Sequence, residues 1–240
     1  MERKVNFACI ASGSGTDFGA IAEAYCQGFI PNVDFKFLVS TNKEAGCLKK
    51  ATDLGAPIFI IDRPRLSLDE FNHGLTELLL REKIELVFLV GCVVKIPHIP
   101  GIIFRNIHPI DTNLERGRGK YGLETHMAVL IDIRSKVNAG LMKADDSFYT
   151  KPTIHAAAAS PNEEYDTGRV TMQMSLKIPD DIIKDYLFGF KDLGLAAKEL
   201  QRYVLEYEHQ LLPLAVKIEA QQIIDSRRNR LSIILNAVAK

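Results

Sequence analysis

The segment 5–27 reads VNFACIASGSGTDFGAIAEAYCQ, and it opens the pattern that decides the fold. Its first part, Val5–Ala11, is an apolar run that predicts a buried strand, and Phe18–Gln27 predicts a helix. Between them lies a turn of small and polar residues with glycines at positions 13 and 15. A strand, a glycine turn and a helix in immediate succession are typical of α/β proteins.

This alternation of apolar runs and amphipathic stretches continues to about residue 108. The further predicted strands are Phe35–Ser40, Pro57–Ile61, Leu86–Val90 and Ile102–Ile107. The further predicted helices are Lys43–Leu54, which ends at Gly55, and a stretch from Leu68 to Lys83. Because nearly continuous apolar runs separated by helices indicate parallel strands covered on both sides, we expect an α/β fold. Its core is an open, Rossmann-like, mostly parallel sheet with helices on both faces.

The second half of the chain loses this rhythm. Its predicted elements are a polar loop at Asp111–Gly122, a helix at Thr125–Ile133, strands at Thr153–Ala158 and Val170–Ile178, and a long helix at Leu195–Ala220. The two strands are expected as antiparallel additions, and Arg134–Pro152 has no clear period. Pro213 lies inside the long helix, where we expect a break or kink. The tail, Ser226–Lys240, alternates basic and apolar residues and is expected to be a short helix.

The composition excludes several classes of function. Thirty basic and thirty acidic residues give a net charge of zero, which argues against nucleic acid or an anionic membrane as a partner. No apolar run approaches the ~20 residues of a spanning helix, and the N-terminus has no signal-peptide pattern. The four cysteines are scattered without a CxxC spacing, so we expect neither a disulfide framework nor a zinc site. A cytoplasmic location is the resulting prediction.

The glycine turn, residues 11–17, is a candidate phosphate site. Glycines let the backbone approach an anion, and a helix N-terminus offers free amides and the positive end of its dipole. The alternative is a plain tight turn with Asp17 as the N-cap of the helix, and from these residues alone both interpretations stay open. The turn is neither a P-loop nor a complete GxGxxG motif.

A second candidate is Asn106-Ile107-His108-Pro109, at the carboxyl end of a predicted parallel strand. Ligands gather at that edge of an open α/β sheet. Side chains two residues apart on a strand point to the same side, so the amide and the imidazole could hydrogen-bond one developing oxyanion. The alternative is a capped, hydrogen-bonded strand end without a catalytic role.

Four motifs in order along the chain give a resemblance to a known family. They are Ser12–Asp17, Asn106–Pro109 with the later Asp166-Thr167-Gly168, Lys120–His126, and Glu208-His209 with Pro213. Ser12–Asp17 is similar to a phosphate loop SGxG[ST]N. Lys120–His126 is similar to a loop KYPGLHTH with one residue deleted, and Glu208-His209 with Pro213 is similar to a helix EHxxxP. Together they resemble the folate-dependent formyltransferases, over residues 5 to 220. The resemblance implies one formyltransferase domain at residues 1–225, with residues 226–240 as a C-terminal extension.

The resemblance also implies an activity. The amine of glycinamide ribonucleotide attacks the formyl group of 10-formyltetrahydrofolate, a co-substrate, and no metal is required. Asn106 and a protonated His108 hold the oxyanion. Asp166 favours that protonation and relays a proton to the leaving folate nitrogen. The oligomeric state is not fixed by the sequence, and a homodimer is compatible with it.

The remaining site residues are assigned by the same resemblance. The substrate-binding residues are Gly15, Thr16 and Asp17 for the phosphate and Glu208 for the ribose hydroxyls, and the folate-binding residues are Val93, Val94, Lys95, Ile96, Tyr165 and Gly168. Gly168 would let its loop close tightly against the pterin.

Several positions depart from the family pattern, so other functions stay open. Asp17 replaces an asparagine, and Leu68 stands where the family has an arginine that Arg63 or Arg65 could replace. His155 matches a family histidine but is interpreted as a packed core residue. The alternatives are formyl transfer to another amine, hydrolysis of the formylfolate by water, and a ligand-binding relative that has lost turnover.

Overall fold

The fold is described from a computed structural model of the chain. The structure describes residues 3–92, 94–112, 118–157 and 166–238, with the helical backbone alone for residues 231–238. Two of the predicted folate-binding residues, Val93 and Tyr165, lie outside the described residues.

The elements follow the predicted alternation. The strands are β1 (Val5–Ala11), β2 (Val33–Ser40), β3 (Ile58–Ile60), β4 (Leu86–Leu89), β5 (Ile103–His108), β6 (Tyr149–Thr150), β7 (Thr153–Ala156), β8 (Val170–Gln173) and β9 (Leu176–Lys177). The α-helices are α1 (Thr16–Cys26), α2 (Gly46–Asp53), α3 (Leu68–Arg81), α4 (Leu123–Asn138), α5 (Asp180–Leu187) and α6 (Leu193–Val238). A 3-10 turn at Arg63–Arg65 precedes α3.

Seven strands form one sheet in the order β3-β2-β1-β4-β5-β7-β8, and β6 pairs with β9 in a separate two-stranded sheet. The pairs β1–β2, β1–β4 and β2–β3 are parallel, and β7–β8 is antiparallel. This confirms the Rossmann-like, mostly parallel fold. The single strand predicted at Val170–Ile178 is wrong, because Met174 and Ser175 leave the strand and separate β8 from β9.

Residue contacts divide the chain into two compact units. The first comprises residues 1–105 and 212–240, and the second comprises residues 106–211. In the first unit, the parallel strands β1, β2 and β4 carry the core. The rings of Phe7 and Phe88 meet edge-on at 6.0 Å across β1 and β4. Aromatic edges and faces pack favourably in this geometry. The strands β1 and β4 read as continuous apolar runs because nearly all their residues are buried.

The second unit has its own core between α4, α5 and the first part of α6. Its buried members include Leu130, Ile133, Phe148, Ile183, Tyr186 and Leu200. The helix α5 was not predicted, because a segment of eight residues is shorter than the pattern that identifies a helix from sequence alone. It starts with Asp180 and Asp181 in its first turn, where carboxylates are favoured, and buries Ile182, Ile183 and Tyr186.

The helix α6 runs from Leu193 to Val238 with Pro213 inside it. The predicted break at Pro213 is therefore wrong, and the tail that was predicted to be helical is the last part of α6 up to Val238. Proline removes one backbone donor from the helix, but Leu211, Leu212, Ala215 and Val216 on either side are all buried. Burial of this apolar stripe outweighs one lost hydrogen bond. No helix in the described part of the chain is both long and apolar enough to cross a membrane.

Candidate active site

Asn106 and His108 lie at the carboxyl end of β5, as the sequence predicts. Their side chains share one side of the strand, and His108 is only 4% exposed. His155 lies on β7 and is 1% exposed. Asp166 follows in a turn with φ of 60°, in the left-handed region that a non-glycine residue rarely adopts. All four residues belong to the unit 106–211.

The side chains of Asn106, His155 and Asp166 meet in a triangle. Nδ2 of Asn106 is 3.2 Å from Oδ1 of Asp166 and 3.2 Å from Nε2 of His155. The third side, from Nε2 of His155 to Oδ1 of Asp166, measures 3.4 Å. The predicted meeting of an amide and a distant carboxylate is present in the structure.

The second carboxylate oxygen of Asp166 connects this triangle to His108. Oδ2 accepts a hydrogen bond from the backbone N–H of Gly119 at 3.0 Å and lies 3.7 Å from Nδ1 of His108. Burial raises the pKa of Asp166, but the hydrogen bond with His155, the charge of His108 and the N–H of Gly119 outweigh it. The pKa is therefore held below its ordinary value, and Asp166 is ionised at neutral pH.

His155 was interpreted from the sequence as a packed core residue, and its contacts with Asn106 and Asp166 were not predicted. It is buried, as a core histidine would be, and Nε2 of its ring contacts Asn106 and Asp166. Its other nitrogen, Nδ1, is 2.9 Å from the carbonyl oxygen of Ala156. The signal available in the sequence was a polar ring inside an apolar strand, where a buried histidine requires hydrogen-bond partners.

His126, on the first turn of α4, adds a second imidazole to the surroundings of His108. Burial lowers the pKa of His126 to about 4, and the charge of His108 contributes. His126 is 2% exposed and is neutral at neutral pH. Its Nδ1 has no hydrogen-bond partner among the described residues.

Gly168 has a structural role that is visible without any ligand. A Cβ at this position would lie 1.7 Å from the carbonyl oxygen of Ala156, so only glycine permits this approach of two backbones. The turn that carries Asp166 is thereby pressed against the end of β7, which carries His155. Glu208, the predicted ribose contact, is buried on α6.

In the first unit, the glycine turn is held by backbone and hydroxyl contacts. The hydroxyls of Ser12 and Thr41 are 2.6 Å apart, and the N–H of Cys47 donates to the carbonyl of Gly13 at 3.1 Å. Gly15 has φ of 72° and is itself the N-cap of α1. The prediction of Asp17 as N-cap is therefore wrong, because the helix begins at Thr16 and Asp17 lies in its first turn.

The predicted folate segment is described at Val94, Lys95 and Ile96, of which Ile96 is buried. Burial raises the pKa of the adjacent thiol of Cys92, as in an unreactive cysteine. Arg65 pairs with Asp62 at 3.2 Å, whereas the backbone N–H of Arg63 donates to the carbonyl of Thr41 beside the glycine turn. Among the described residues, no group of three or more His, Cys, Asp or Glu could hold a metal ion.

An ionised carboxylate that has an amide and two imidazoles within 3.7 Å can perform two tasks with them. Preorganised N–H groups can stabilise negative charge that develops on a carbonyl oxygen. The carboxylate can accept a proton in the same place. The arrangement thus suits acyl transfer without a covalent intermediate.

No protein-family model matches the chain. It is 29% identical to a phosphoribosylglycinamide formyltransferase, chloroplastic, from Arabidopsis thaliana, over 98% of this chain and 72% of the relative. A protein of the same name from Vigna unguiculata is 27% identical, over 97% of this chain and 66% of that protein. These relatives confirm the resemblance that the motifs predicted.

Solved structures agree on the fold. Glycinamide ribonucleotide transformylase 1 from Geobacillus kaustophilus has a TM-score of 0.66 and 23% identity, over 90% of this chain and 99% of its own. Phosphoribosylglycinamide formyltransferase from Streptococcus pneumoniae has a TM-score of 0.61 and 24% identity, over 91% and 98%. The chain therefore has the formyltransferase fold.

Proposed function

We propose that this protein transfers the formyl group of 10-formyltetrahydrofolate to the primary amine of glycinamide ribonucleotide, a step of purine synthesis. One observation carries the proposal: Asp166 reaches both Asn106 and His108 from a turn far along the chain. The names and the extent of the relatives support the same activity.

The first step is attack of the amine nitrogen on the formyl carbon. A carbon–nitrogen bond forms while the carbonyl π electrons move to oxygen, which becomes an oxyanion. The donors proposed for that oxyanion are the amide of Asn106 and a protonated His108. The Asp166 carboxylate, 3.7 Å from the ring, stabilises the charged imidazole. Loss of one such donor costs about 2.7–4 kcal/mol of transition-state stabilisation in comparable sites.

The second step breaks the bond between the formyl carbon and N10 of the folate. The nitrogen that attacked carries a surplus proton, and N10 needs one as it leaves. Asp166 is proposed to relay this proton through water, because its lowered pKa keeps it ionised and ready to accept. The oxyanion electrons return to the carbonyl, so the products are the formylated amine and tetrahydrofolate.

The other residues keep the roles that the resemblance implies. The turn with Gly15, Thr16 and Asp17 is proposed to bind the phosphate, and Glu208 the ribose hydroxyls. Val94, Lys95, Ile96 and Gly168 are proposed to contact the folate, together with Val93 and Tyr165, which lie outside the described residues. Residues 1–225 as the catalytic domain and a cytoplasmic location remain part of the proposal, although the two plant relatives are named chloroplastic.

A different amine is the second candidate, and one observation favours it. Asp17 lies in the first turn of α1, where its negative charge opposes a bound phosphate, and Leu68 supplies no positive charge at the start of α3. An acceptor amine without a phosphate would avoid this repulsion.

The decisive experiment is a spectroscopic assay of folate deformylation in three conditions: with glycinamide ribonucleotide, with amine acceptors that lack phosphate, and with no acceptor. We expect turnover in the first condition only. Asp166→Asn should lower kcat by about 10²–10⁴-fold, whereas Asp145→Asn, at an exposed position, should have no effect.

The other outcomes are equally informative. Turnover only with an acceptor that lacks phosphate would replace the substrate, and turnover without acceptor would indicate a hydrolase. Absence of deformylation in every condition, with both ligands bound in isothermal titration, would contradict an enzymatic function.

A further inference from the structure

The ring of His155 is fixed in one orientation by its own neighbour. Nδ1 lies 2.9 Å from the carbonyl oxygen of Ala156, and a carbonyl only accepts hydrogen bonds. Nδ1 therefore carries a hydrogen in every protonation state of the ring. The variable proton of His155 is the one on Nε2, which faces Asn106 and Asp166.

The state of Nε2 decides how the two hydrogens of the Asn106 amide are used. In the neutral ring, Nε2 is an acceptor 3.4 Å from the carboxylate oxygen, which is also an acceptor. Only Nδ2 of Asn106, 3.2 Å from each, can place hydrogens toward both of them. Both amide hydrogens are then occupied.

When the His155 ring is charged, the hydrogen bonds of Nε2 are different. Nε2–H donates to Oδ1 of Asp166, as a charge-assisted hydrogen bond. Nε2 no longer accepts, so Asn106 keeps one hydrogen on Asp166 and has the other available.

We propose that His155 is a positioning residue whose protonation on Nε2 releases one N–H of Asn106 to the oxyanion of the transferred formyl group. The part about the oxyanion rests on the proposed function, whereas the exchange of hydrogens in the triangle does not. His155 acts through Asn106 and need not touch the substrate.

The groups that surround His155 support this role. Among the described residues, Asp166 is a titratable group in direct contact with it, from the turn at 166–168. His108 on β5 reaches the same carboxylate through its other oxygen, and His126 on α4 is close to His108 and neutral. His155 and the Asp166 side chain are 1% and 9% exposed, so solvent does not replace the contacts within the triangle.

Nuclear magnetic resonance on the full chain tests the exchange without any substrate. Side-chain ¹⁵N labelling of asparagine reports the two amide protons of Asn106, assigned by their loss in Asn106→Ala, and ring ¹³C labelling reports His155. We expect one Asn106 proton signal to move in step with the titration of the His155 ring. A ring that stays neutral, or Asn106 signals that do not follow it, would overturn the proposal. This result is obtained with the unmodified protein, so it stands even where a variant fails to fold.

Kinetics test the consequence. The glutamine of His155→Gln has an amide nitrogen near the place of Nε2, but it does not titrate. We expect KM values within about twofold of the unmodified protein. In the unmodified protein kcat should fall as the pH rises and His155 loses its proton. In His155→Gln this fall should be smaller by a factor on the order of ten, because the N–H groups of Asn106 no longer change their acceptors with pH. An unchanged pH profile would count against the proposal. Absence of formyl transfer by the unmodified protein would instead remove the proposed function and leave the resonance result to decide on His155.

Discussion

Oδ1 of Asp166 lies 3.2 Å from the side-chain nitrogen of Asn106, although sixty residues separate them in the chain. Asp166 adopts a left-handed backbone conformation to reach this place, which costs of order 1–3 kcal/mol. The contacts of its carboxylate with Asn106, Gly119 and two histidines offset this cost.

Gly168 should be intolerant of any side chain. In Gly168→Ala the new Cβ would meet the backbone of Ala156, which cannot move aside as a flexible side chain would. We expect a loss of about 1–3 kcal/mol in the free energy of unfolding. Formyl transfer should fall up to about 10²-fold, because Asp166 is displaced by a fraction of an ångström or more. Urea unfolding and kcat measure the two effects.

Gly74→Ala is the matched control, since Gly74 lies inside α3 and has open space where a Cβ would stand. There the same substitution should stabilise by about 0.5–1 kcal/mol. Equal effects at both glycines would contradict the close approach of Gly168 and Ala156.

Gly15 and Gly13 should respond differently to the same change. A Cβ on Gly15 would lie 2.5 Å from Cβ of Cys47, at a backbone φ of 72°, whereas Gly13 has nothing within 4 Å. Gly15→Ala should therefore destabilise the protein by more than about 1 kcal/mol, and Gly13→Ala by much less. Thermal unfolding measures both.

Binding of glycinamide ribonucleotide by the same two variants then separates the interpretations of the turn. Weaker binding in the stable Gly13→Ala variant would indicate a phosphate site, because a methyl group there only obstructs a ligand. Unchanged binding would leave the turn with a structural role alone.

The sequence was sufficient for the features that depend on local pattern. Val5–Ala11 is an unbroken apolar run, and the strand has the predicted bounds. Asn106 and His108 are two residues apart on a strand, and their common side follows from the pleat. Asp166 was found only through the resemblance, because no local pattern relates it to Asn106.

The features that were missed depend on contacts between distant segments. His155 is an ordinary residue of an apolar strand until Asn106 and Asp166 are placed beside it. The continuity of α6 through Pro213 depends on the burial of Leu212 and Val216, which the helical period indicates but does not quantify. The split of β8 and β9 depends on different strand partners, β7 and β6.

Arg105, next to Asn106 in β5, should contribute strongly to stability through Glu219. Nε and Nη2 of Arg105 donate to the two carboxylate oxygens of Glu219 at 2.6 and 2.8 Å, and the Glu219 side chain is 6% exposed. Glu219→Ala leaves the Arg105 guanidinium, whose side chain is only 16% exposed, without its carboxylate and should cost about 3–5 kcal/mol. Urea unfolding measures the loss, and Arg105→Met with Glu219→Leu should recover much of it.

The exposed pair Lys49–Asp53 is the control for that prediction. Its N–O distance is also 2.6 Å, but the two side chains are 81% and 58% exposed. Asp53→Asn should change the free energy of unfolding by less than about 1 kcal/mol, since solvent screens exposed ion pairs. A similar loss in the free energy of unfolding for the two pairs would show that burial does not determine the contribution of the Arg105–Glu219 pair.

His126 should make the stability of the protein fall in mild acid. Its pKa is about 4 in the folded chain, mainly through burial, and near 6.5 in the unfolded chain. Between these values the unfolded chain binds a proton that the folded chain does not, so the free energy of unfolding rises with pH. Relative to its value near pH 4, the free energy of unfolding is therefore higher by about 3 kcal/mol above about pH 6.5 because of His126. This difference is lost as the pH falls from about 6.5 to about 4.

Urea unfolding at pH 7 and at pH 4.5 measures this slope in the unmodified protein and in His126→Gln. The variant should lose most of the difference between the two pH values, because glutamine does not titrate. His73→Gln is the control, since the His73 side chain is 75% exposed and should leave the slope unchanged. The same slope in His126→Gln and in the unmodified protein would mean that other groups cause the acid sensitivity. His126 would then not be the buried histidine that stays neutral in the folded protein.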